Sequence, residues 1–375
     1  MNYDCLVIGL GGMGSSALYH LARRGIRVCG LEQFGPAHDR GSSHGKYRVF
    51  RKAYYEHSDY VPLLEEAQKL WRQLEADTGV SLLERIGVVL SGPVDGEVIA
   101  GTMAAAAQHG LPVEHIDPAD ARQRWPMLHF PEQHCVVLDV DAGILAVEDC
   151  VTQHLKRARE LGAEACFFEP VRHLEARQGS ATVTTDRRTI SAASVVITGG
   201  AWSRSLLPTQ LPTLQILHKL QLWYGVEETF LRGFSHLPAF FFDTAQGAFY
   251  GMPSGSTEVK LARHTEGAPI VNPSEPGDAA IVQERGPCQQ FAGEYMCGIA
   301  AEPVRTSSCM YTMSPDGHFV LDRVSDSSPV TFAAGFSGHG FKFASVMGAV
   351  LADLATAGCT ELPVGFLGAG RFASS

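Results

Sequence analysis

The chain has 375 residues and a formal net charge of −10, with 45 % hydrophobic and 19 % charged residues, a composition typical of a soluble globular protein. The acidic balance disfavours nucleic acid as a partner, because phosphate binding requires clustered lysine and arginine. No run of 18 apolar residues and no basic leader segment is present, so we expect no membrane span and a cytoplasmic protein.

The hydrophobic pattern predicts alternating strands and helices, beginning with a strand over Tyr3–Gly9, a helix from about Gly14 to Arg24 and a strand over Arg27–Leu31. Further helices are predicted over 59–76, 97–108, 119–125, 148–161 and 341–356, and another after Trp202. Further strands are predicted over 87–91, 165–168, 171–176, 181–184, 195–198, 220–226, 239–242, 248–252, 258–263, 319–322 and 330–334. The stretches 36–47 and 269–277 are predicted to be a polar segment and a surface loop.

The nine cysteines show no CxxC spacing, so we expect neither a zinc site nor a disulfide framework, and no metal site is predicted. Most of the cysteines are expected to be small buried hydrophobic residues.

The first strand leads into a glycine-rich loop in which Gly9, Gly11 and Gly14 match the GxGxxG pattern. The first glycine permits a tight turn, the second lets the backbone approach a pyrophosphate, and the third lets helix and strand pack closely. Glu32 ends the second strand, where an acidic residue accepts a hydrogen bond from a ribose hydroxyl. The pattern predicts a dinucleotide site and argues against NADP, but it does not separate FAD from NAD.

The alternation of elements predicts an α/β protein. We expect a discontinuous, Rossmann-type dinucleotide-binding domain formed by residues 1–80, 146–211 and 300–375. Residues 81–145 and 212–299 are expected to form an inserted substrate domain with a mainly antiparallel sheet.

Three further segments resemble the monomeric sarcosine oxidase family, whose flavoenzymes oxidise N-methyl and cyclic secondary amino acids and include N-methyltryptophan oxidase and pipecolate oxidase relatives. The segments occur in the family's order and, with the glycine loop, span nearly the whole chain. They are Gly41–Arg48 with Arg51, Ala53 and Tyr54; Cys309–Thr312 followed by Pro315, Asp316 and Phe319; and Ala334–Phe343.

The resemblance implies FAD as the cofactor. Cys309 is similar to the family's cysteine that forms a thioether with the flavin, a reaction that needs a thiolate and is helped by nearby positive charge. Backbone N–H groups of Gly338–Gly340, before the last helix, are expected to stabilise negative charge on the reduced flavin. The expected FAD contacts are Gly9, Gly11, Gly12, Met13, Gly14, Glu32, Gln33, Ser42, Ser43, His44, Arg48, Val171, Gly200, Trp202, Cys309, Met310, Gly338, Gly340, Phe341 and Lys342.

The resemblance also implies catalytic and substrate-binding roles. Lys260 matches a lysine at the reactive edge of the flavin, where an ammonium group stabilises the charge that develops as dioxygen is reduced. Arg51 and Lys342 match the pair that holds the substrate carboxylate. The expected catalytic residues are Lys260, Arg48, His44, Tyr311 and His264, and the expected substrate contacts are Arg51, Lys342, Tyr250, Tyr47, Phe241 and Gly338.

Without the resemblance, Lys260 would be interpreted as a surface residue of an alternating strand, and Tyr250 and His264 as core residues. The sequence also departs from the family pattern. Lys46 and Tyr47 stand where close sarcosine oxidases have Asp-Thr, and Phe241 stands where a methionine often lines the cavity. We therefore do not infer the shape of the pocket from the family, and these differences are compatible with a wider substrate range that includes cyclic or bulkier N-methyl amino acids.

The function implied is oxidation of the C–N bond of sarcosine or a related N-methyl amino acid, giving an imine that hydrolyses and hydrogen peroxide from dioxygen. The alternatives are a pipecolate- or proline-type oxidase, a dehydrogenase with a non-oxygen acceptor, and a non-catalytic flavin-binding protein. The resemblance further implies a monomer whose partners are a small amino acid and dioxygen, with no nucleic acid and no membrane.

Overall fold

The computed structural model describes residues 2–207, 213–325 and 327–372, without the side chains of Ala279 and Ala280. Its α-helices are α1 (Gly12–Arg23), α2 (Tyr60–Thr78), α3 (Glu97–His109), α4 (Pro118–Arg124), α5 (Val147–Glu160), α6 (Leu231–Phe234), α7 (Ala279–Tyr295) and α8 (Ala344–Ala357). Short 3₁₀ helices cover Gly200–Ser205, Glu228–Phe230, Phe341–Phe343, Gly365–Leu367 and Ala369–Phe372.

The strands alternate with these helices along the chain and confirm the predicted α/β class. They are β1 (Tyr3–Ile8), β2 (Val28–Leu31), β3 (Tyr47–Phe50), β4 (Leu83–Glu84), β5 (Val88–Gly92), β6 (Val113–Ile116), β7 (Cys135–Asp139), β8 (Gly143–Ala146), β9 (Glu164–Cys166), β10 (Val171–Arg177), β11 (Ser180–Thr185), β12 (Thr189–Ile197), β13 (Gln215–Gly225), β14 (Ala239–Thr244), β15 (Gly247–Pro253), β16 (Glu258–Arg263), β17 (Ala268–Ile270), β18 (Arg305–Met313), β19 (Val320–Arg323) and β20 (Val330–Ala334).

The first sheet contains a parallel core in the order β9–β2–β1–β12–β20, extended by antiparallel β10 and β11 beside β12 and by β19 beside β20. Alternate residues of β1 belong to different cores, as expected for a strand buried on both faces. Cys5 and Val7 pack in the cluster that includes α1 and α8, whereas Leu6 and Ile8 pack in a second cluster. The carboxyl end of β1 therefore opens directly into the glycine loop and α1.

The second sheet has nine strands, in the order β17–β13–β16–β15–β14–β5–β7–β6, with β18 also paired to β13. Only the β14–β5 pair among these is parallel, so the predicted mainly antiparallel sheet is present. Helix α7 packs on one face through Phe291, against Phe240 and Phe249. A small third sheet, β3–β8–β4, completes the fold.

Several elements differ from the sequence prediction. Helix α7 and strand β18 were not predicted, and the expected loop 269–277 begins within β17. The helix predicted after Trp202 is a 3₁₀ helix, and the predicted start of the last helix at Phe341 is a 3₁₀ turn before α8. The domain division stays a prediction, and its boundary at residues 211 and 212 lies outside the described residues. In the part of the chain that is described, no helix is both long and apolar enough to span a membrane.

Candidate active site

A cavity of about 430 Å³ is lined by residues of both large sheets and of the glycine loop. The predicted site residues in its lining are Gly9, Gly11, Gly12, Met13, Glu32, Gln33, Ser42, Ser43, Arg48, Arg51, Val171, Gly200, Trp202, Phe241, Tyr250, His264, Met310, Tyr311, Gly338, Gly340, Phe341 and Lys342. The remaining predicted residues, Gly14, His44, Tyr47, Lys260 and Cys309, lie outside the lining. The structure thus brings together residues from distant parts of the chain.

The glycine loop has the close packing that its sequence predicts. Gly9 has a φ of +90°, and a Cβ on Gly14 would lie 1.8 Å from the Gly9 carbonyl oxygen and 2.5 Å from Thr198 Oγ1. A Cβ on Gly11 would meet only Ser43 Oγ, at 3.7 Å, so this position faces open space in the cavity. The Gly12 N–H donates to Ser43 Oγ (3.0 Å), which joins the loop to the 41–48 segment.

Glu32 lies at the end of β2, buried, with its carboxylate in the cavity lining. It accepts hydrogen bonds from the N–H groups of Leu10 (2.8 Å) and Phe34 (3.0 Å), and His38 Nε2 lies 3.4 Å from it. Burial opposes ionisation, but the His38 hydrogen bond and the two N–H groups outweigh burial and lower the pKa of Glu32. The side chain is therefore an ionised acceptor, as ribose binding requires.

Together these features match the demands of FAD. Gly11 leaves space beside the start of α1, where N–H groups favour phosphate. The Glu32 carboxylate accepts from the N–H of Leu10 in the same loop, so an acceptor lies beside this space. The same cavity is also lined by Tyr250, His264 and Lys342. We conclude that the residues present suit a long dinucleotide.

Arg51 is buried and its guanidinium is already paired. Its Nη2 lies 2.7 Å from both carboxylate oxygens of Glu56, and Nη1 donates to the Ala53 carbonyl oxygen (3.2 Å). Burial opposes ionisation of Glu56, but Arg51 outweighs it and lowers the pKa of Glu56 to about 2. Glu56 also lines the cavity, although the sequence analysis did not name it. The only signal for it in the sequence is an acid five residues after Arg51.

Lys342 is held by a directional chain of hydrogen bonds. Its ammonium donates to the His339 carbonyl oxygen (2.8 Å) and to Tyr54 Oη (3.3 Å). The Tyr54 hydroxyl contacts His339 Nδ1 (2.5 Å), and His339 Nε2 donates to the Gly317 carbonyl oxygen (3.0 Å). Burial, then the charge of Arg51, lowers the pKa of Lys342 to about 7. Burial also lowers the pKa of His339 to about 4, so its ring is neutral and Nδ1 accepts from Tyr54.

Lys260 is fully buried, so its interpretation as a surface lysine is wrong. Its ammonium donates to the backbone oxygens of Gly45 (2.7 Å) and Tyr47 (3.0 Å) and lies 5.3 Å from the Trp223 ring. Burial, then the charge of Arg48, lowers the pKa of Lys260 well below its usual value. Tyr47, which stands where close sarcosine oxidases have threonine, contacts Lys260 through its backbone oxygen. The hydrogen bond to Lys260 therefore does not depend on which side chain occupies position 47.

The side chain of Tyr47 does not reach the cavity. It packs, half-buried, against the hydrophobic cluster that contains Val88 and Leu90. Its predicted role as a substrate contact therefore has no support in the geometry. The neighbouring Arg48 does line the cavity, and its guanidinium donates to the backbone oxygens of Tyr47 and Ser42, each at 3.0 Å.

Cys309 and His44 are both buried just outside the lining. Cys309 and Tyr311 are two residues apart in β18 and therefore point to the same side of the sheet, the side on which Tyr311 meets the cavity. Ser42 Oγ donates to the carbonyl oxygen of Met310 (2.5 Å), which fixes the 41–48 segment beside Cys309. Burial, then Arg48, lowers the pKa of His44 to about 4.

An aromatic wall made of Phe241, Tyr250, His264 and Tyr311 lines the same end of the cavity as Lys342. The His264 ring lies 5.6 Å from Phe241, 6.3 Å from Tyr250 and 5.9 Å from Tyr311. Burial lowers the pKa of His264 to about 3. A Cβ on Gly338 would lie 2.3 Å from the Tyr311 ring, so the glycine is required for this wall to form.

One thiol cluster lies away from this site. Ligand atoms of Cys29, Glu164 and Cys166 lie within 4.8 Å of one another, and Arg188 Nη2 lies 2.9 Å from Cys166 Sγ. The Arg188 guanidinium therefore already supplies a positive charge beside Glu164 and Cys166. All nine cysteines are free, and Cys297 and Cys359 are exposed.

The parallel sheet with its glycine loop, the acidic residue at the end of β2 and the long cavity define a dinucleotide-dependent oxidoreductase. The model of the family described as FAD dependent oxidoreductase matches residues 4–354. The chain is 37 % identical over 385 residues to a monomeric sarcosine oxidase of Streptomyces avermitilis, covering 100 % of this chain and 98 % of the relative. It is 34 % identical over 354 residues to an N-methyl-L-tryptophan oxidase of Yersinia pestis, covering 94 % of each.

The chain therefore belongs to the FAD-dependent oxidoreductases and, within them, to the sarcosine oxidase family. A solved structure of NikD, an amino acid oxidase of nikkomycin biosynthesis, superposes with a TM-score of 0.86 at 25 % identity, covering 98 % of this chain and 97 % of NikD. These findings confirm the predicted family, the fold class, the use of FAD and the enzyme class of amine oxidase.

Proposed function

We propose that the protein oxidises the C–N bond of sarcosine or a related secondary amino acid, with dioxygen as the acceptor. The observation that carries this proposal is the pair of buried cations, Arg51 and Lys342, in the lining of the cavity that also contains the glycine loop. A carboxylate is the ligand that such a pair selects. A net acidic protein thereby selects an anionic substrate group.

FAD would be held through its pyrophosphate by the Gly9–Gly14 loop and through its ribose by Glu32. When bound, FAD accepts the hydride equivalent from substrate and passes the electrons to dioxygen. The residues of the protein bind and orient FAD and the substrate and polarise the reacting groups. We further propose that Cys309 holds the flavin covalently, supported by its burial on the cavity side of β18.

The substrate carboxylate would be bound by Arg51 and Lys342, in competition with Glu56, whose carboxylate occupies Nη2 of the Arg51 guanidinium. The reacting amine must be the free base. Burial keeps the rings of His264 and His339 neutral, so neither histidine carries a charge at this end of the cavity. Phe241, Tyr250 and Tyr311 exclude water from this end.

Lys260 is proposed to assist the reaction with dioxygen. Its ammonium is fixed by two backbone oxygens in a dry environment, so a negative charge that forms nearby would be stabilised without rearrangement. The proposed roles of His44 and Arg48 rest on the family resemblance and on their positions beside Lys260 and Ser42.

The deciding experiment measures peroxide formation by the purified holoenzyme with sarcosine, bulkier N-methyl amino acids, pipecolate and proline. Peroxide with at least one N-methyl amino acid is expected. Peroxide only with pipecolate or proline would replace the proposal with a cyclic amino acid oxidase. Turnover only with an artificial acceptor would replace it with a dehydrogenase.

We also propose a cytoplasmic monomer, as the names of the sarcosine oxidase relatives suggest for oligomeric state. Sedimentation of the holoenzyme at several concentrations tests this. A mass that stays at 40.4 kDa plus FAD is expected.

A further inference from the structure

A fully buried ion pair joins α7 to the second sheet behind the aromatic wall. Lys219 of β13 and Glu284 of α7 have side chains that are 1 % and 2 % exposed, and their charged atoms lie 2.5 Å apart. Burial alone penalises both charges, lowering the pKa of Lys219 and raising that of Glu284. A buried pair of this kind contributes little net stability compared with apolar side chains of the same volume, so its presence calls for another reason.

The pair lies where the sheet is split. Strand β13 pairs with β17 at residues 216–218 and with β16 at residues 222–225, and the intervening segment His264–Gly267 leaves the sheet. Lys219 closes this gap by donating to the backbone oxygens of Thr265 (3.0 Å) and Glu266 (2.7 Å). Glu284 accepts from the N–H of Leu220 (3.2 Å) on the same strand. Two hydrogen bonds from Lys219 thus hold the segment, and Glu284 in turn is bonded to Lys219 and to the backbone of β13.

The fixed segment begins with His264, a member of the aromatic wall. The Lys219 ammonium also lies 5.6 Å from the centre of the Tyr311 ring. We infer that Lys219 and Glu284 are positioning residues that hold His264 against Tyr311 at the substrate end of the cavity. This inference rests on the proposed function, and it assigns the pair no contact with substrate or FAD.

The test compares the wild-type holoenzyme with the double variant Lys219→Met/Glu284→Gln, which removes both charges at similar volume. We expect kcat for the best N-methyl amino acid to fall on the order of 10- to 100-fold, because a small misplacement near the reacting atoms has effects of this size. The Kd of methoxyacetate, a carboxylate with no amine, is expected to change less than about twofold, because Arg51 and Lys342 lie on other elements. If the ion pair had only a structural role, its removal would impair both kcat and the binding of methoxyacetate, or neither of them.

A cycle with His264→Ala identifies the route of the effect. In the His264→Ala background the double change is expected to have less than about a threefold further effect on kcat, since coupled residues are not additive. Full additivity, or a wild-type kcat in the double variant, overturns the inference. If the double variant does not retain FAD, Glu284→Gln alone is measured, and it must show the same selective loss. Arg24→Met/Asp353→Asn, which removes a partly exposed ion pair between the residue after α1 and a residue of α8, is the control for loss of an ion pair elsewhere in the fold.

A readout without turnover keeps this test separate from the proposed function. The ring signal of His264 in nuclear magnetic resonance, assigned by its loss in His264→Ala, is expected to be a single line in the wild type and to broaden or split in the double variant. An unchanged signal overturns the inference even if the enzyme oxidises no N-methyl amino acid.

Discussion

Arg51 and Glu56 form a bidentate ion pair inside the cavity, with Arg51 Nη2 2.7 Å from each carboxylate oxygen. The proposed carboxylate-binding arginine thus carries an internal carboxylate. A substrate carboxylate must compete with Glu56 for the same guanidinium, so the observed affinity is the intrinsic affinity reduced by the population of the paired state. Lys342 is also close enough to Glu56 for its positive charge to lower the pKa of the Glu56 carboxyl group.

Replacing Glu56 by Gln is expected to tighten binding of methoxyacetate on the order of tenfold, because two buried cations then lack an anion until the ligand arrives. Flavin absorbance changes on titration measure the Kd. The exposed Glu65→Gln is the control and should leave the Kd unchanged. Weaker or unchanged binding by Glu56→Gln would show that Glu56 does not compete with the ligand.

Binding of methoxyacetate is also expected to depend on pH through Lys342. The pKa of Lys342 is lowered to about 7, so its ammonium is present below pH 7 and is lost above it. The Kd should be constant below about pH 7 and rise by up to about tenfold per pH unit above it. Arg51 and Glu56 keep their charges across this range, since the pKa of Arg51 is raised and that of Glu56 is about 2.

Lys342→Met should bind methoxyacetate more weakly at pH 6 and lose the rise above pH 7. A rise that persists in Lys342→Met would assign the titration to another group.

How far the sequence predicts this molecule depends on whether a feature is local. The glycine loop and Glu32 follow from local strand–turn–helix chemistry, and their positions agree with the structure. Helix α7 was not predicted because Pro287 in its interior removes an N–H donor and normally ends a helix. Packing of Phe291 against the sheet supplies the stability that the local pattern does not show.

The site shows the same division. Most of the residues predicted from motif matches lie in the cavity lining. The pairing of Glu56 with Arg51 was not predicted, because it depends on the burial of both side chains in the folded protein. The family resemblance implied that the Tyr47 side chain contacts the substrate. The fold instead uses its backbone oxygen, which accepts from Lys260.

Lys260→Gln keeps an N–H donor for one backbone oxygen but removes the charge. In this variant, reoxidation of the reduced flavin by dioxygen is expected to slow on the order of 10²- to 10³-fold. This is the size of effect found when a preorganised charge-stabilising group is removed. Reduction by substrate without dioxygen should change little. Stopped-flow absorbance separates the two half-reactions. The control is Lys46→Gln, because Lys46 is exposed and lies between Gly45 and Tyr47, whose backbone oxygens bind Lys260. An equal loss of rate in both half-reactions of Lys260→Gln would contradict the role assigned to Lys260.

Acid precipitation tests the proposed link to Cys309. The wild-type protein should carry its yellow colour into the pellet, whereas Cys309→Ser should release FAD into the supernatant. Cys288→Ala, a change at another buried cysteine, should behave like the wild type. Yellow supernatant from the wild type means that the flavin is not covalently held.

Two buried neutral histidines, His20 of α1 and His154 of α5, should make the protein sensitive to acid. Burial lowers the pKa of His20 to about 3 and that of His154 well below its usual value, and His20 Nε2 and His154 Nδ1 have no hydrogen-bond partner among the described residues. The His154 ring packs between Tyr19 and Trp71. Below about pH 6.5 the unfolded chain binds protons at both positions while the folded protein does not.

The free energy of unfolding should therefore fall as pH decreases from 6.5, by up to about 1.4 kcal/mol per pH unit for each histidine. His154→Phe removes one of these protons and keeps an aromatic ring beside Trp71, so its slope between pH 6 and pH 5 should be smaller by up to that amount. Urea denaturation of the holoenzyme measures both slopes. The exposed His173→Phe should keep the wild-type slope. If His154→Phe also keeps it, His154 is protonated in the folded protein and its burial does not exclude the charge.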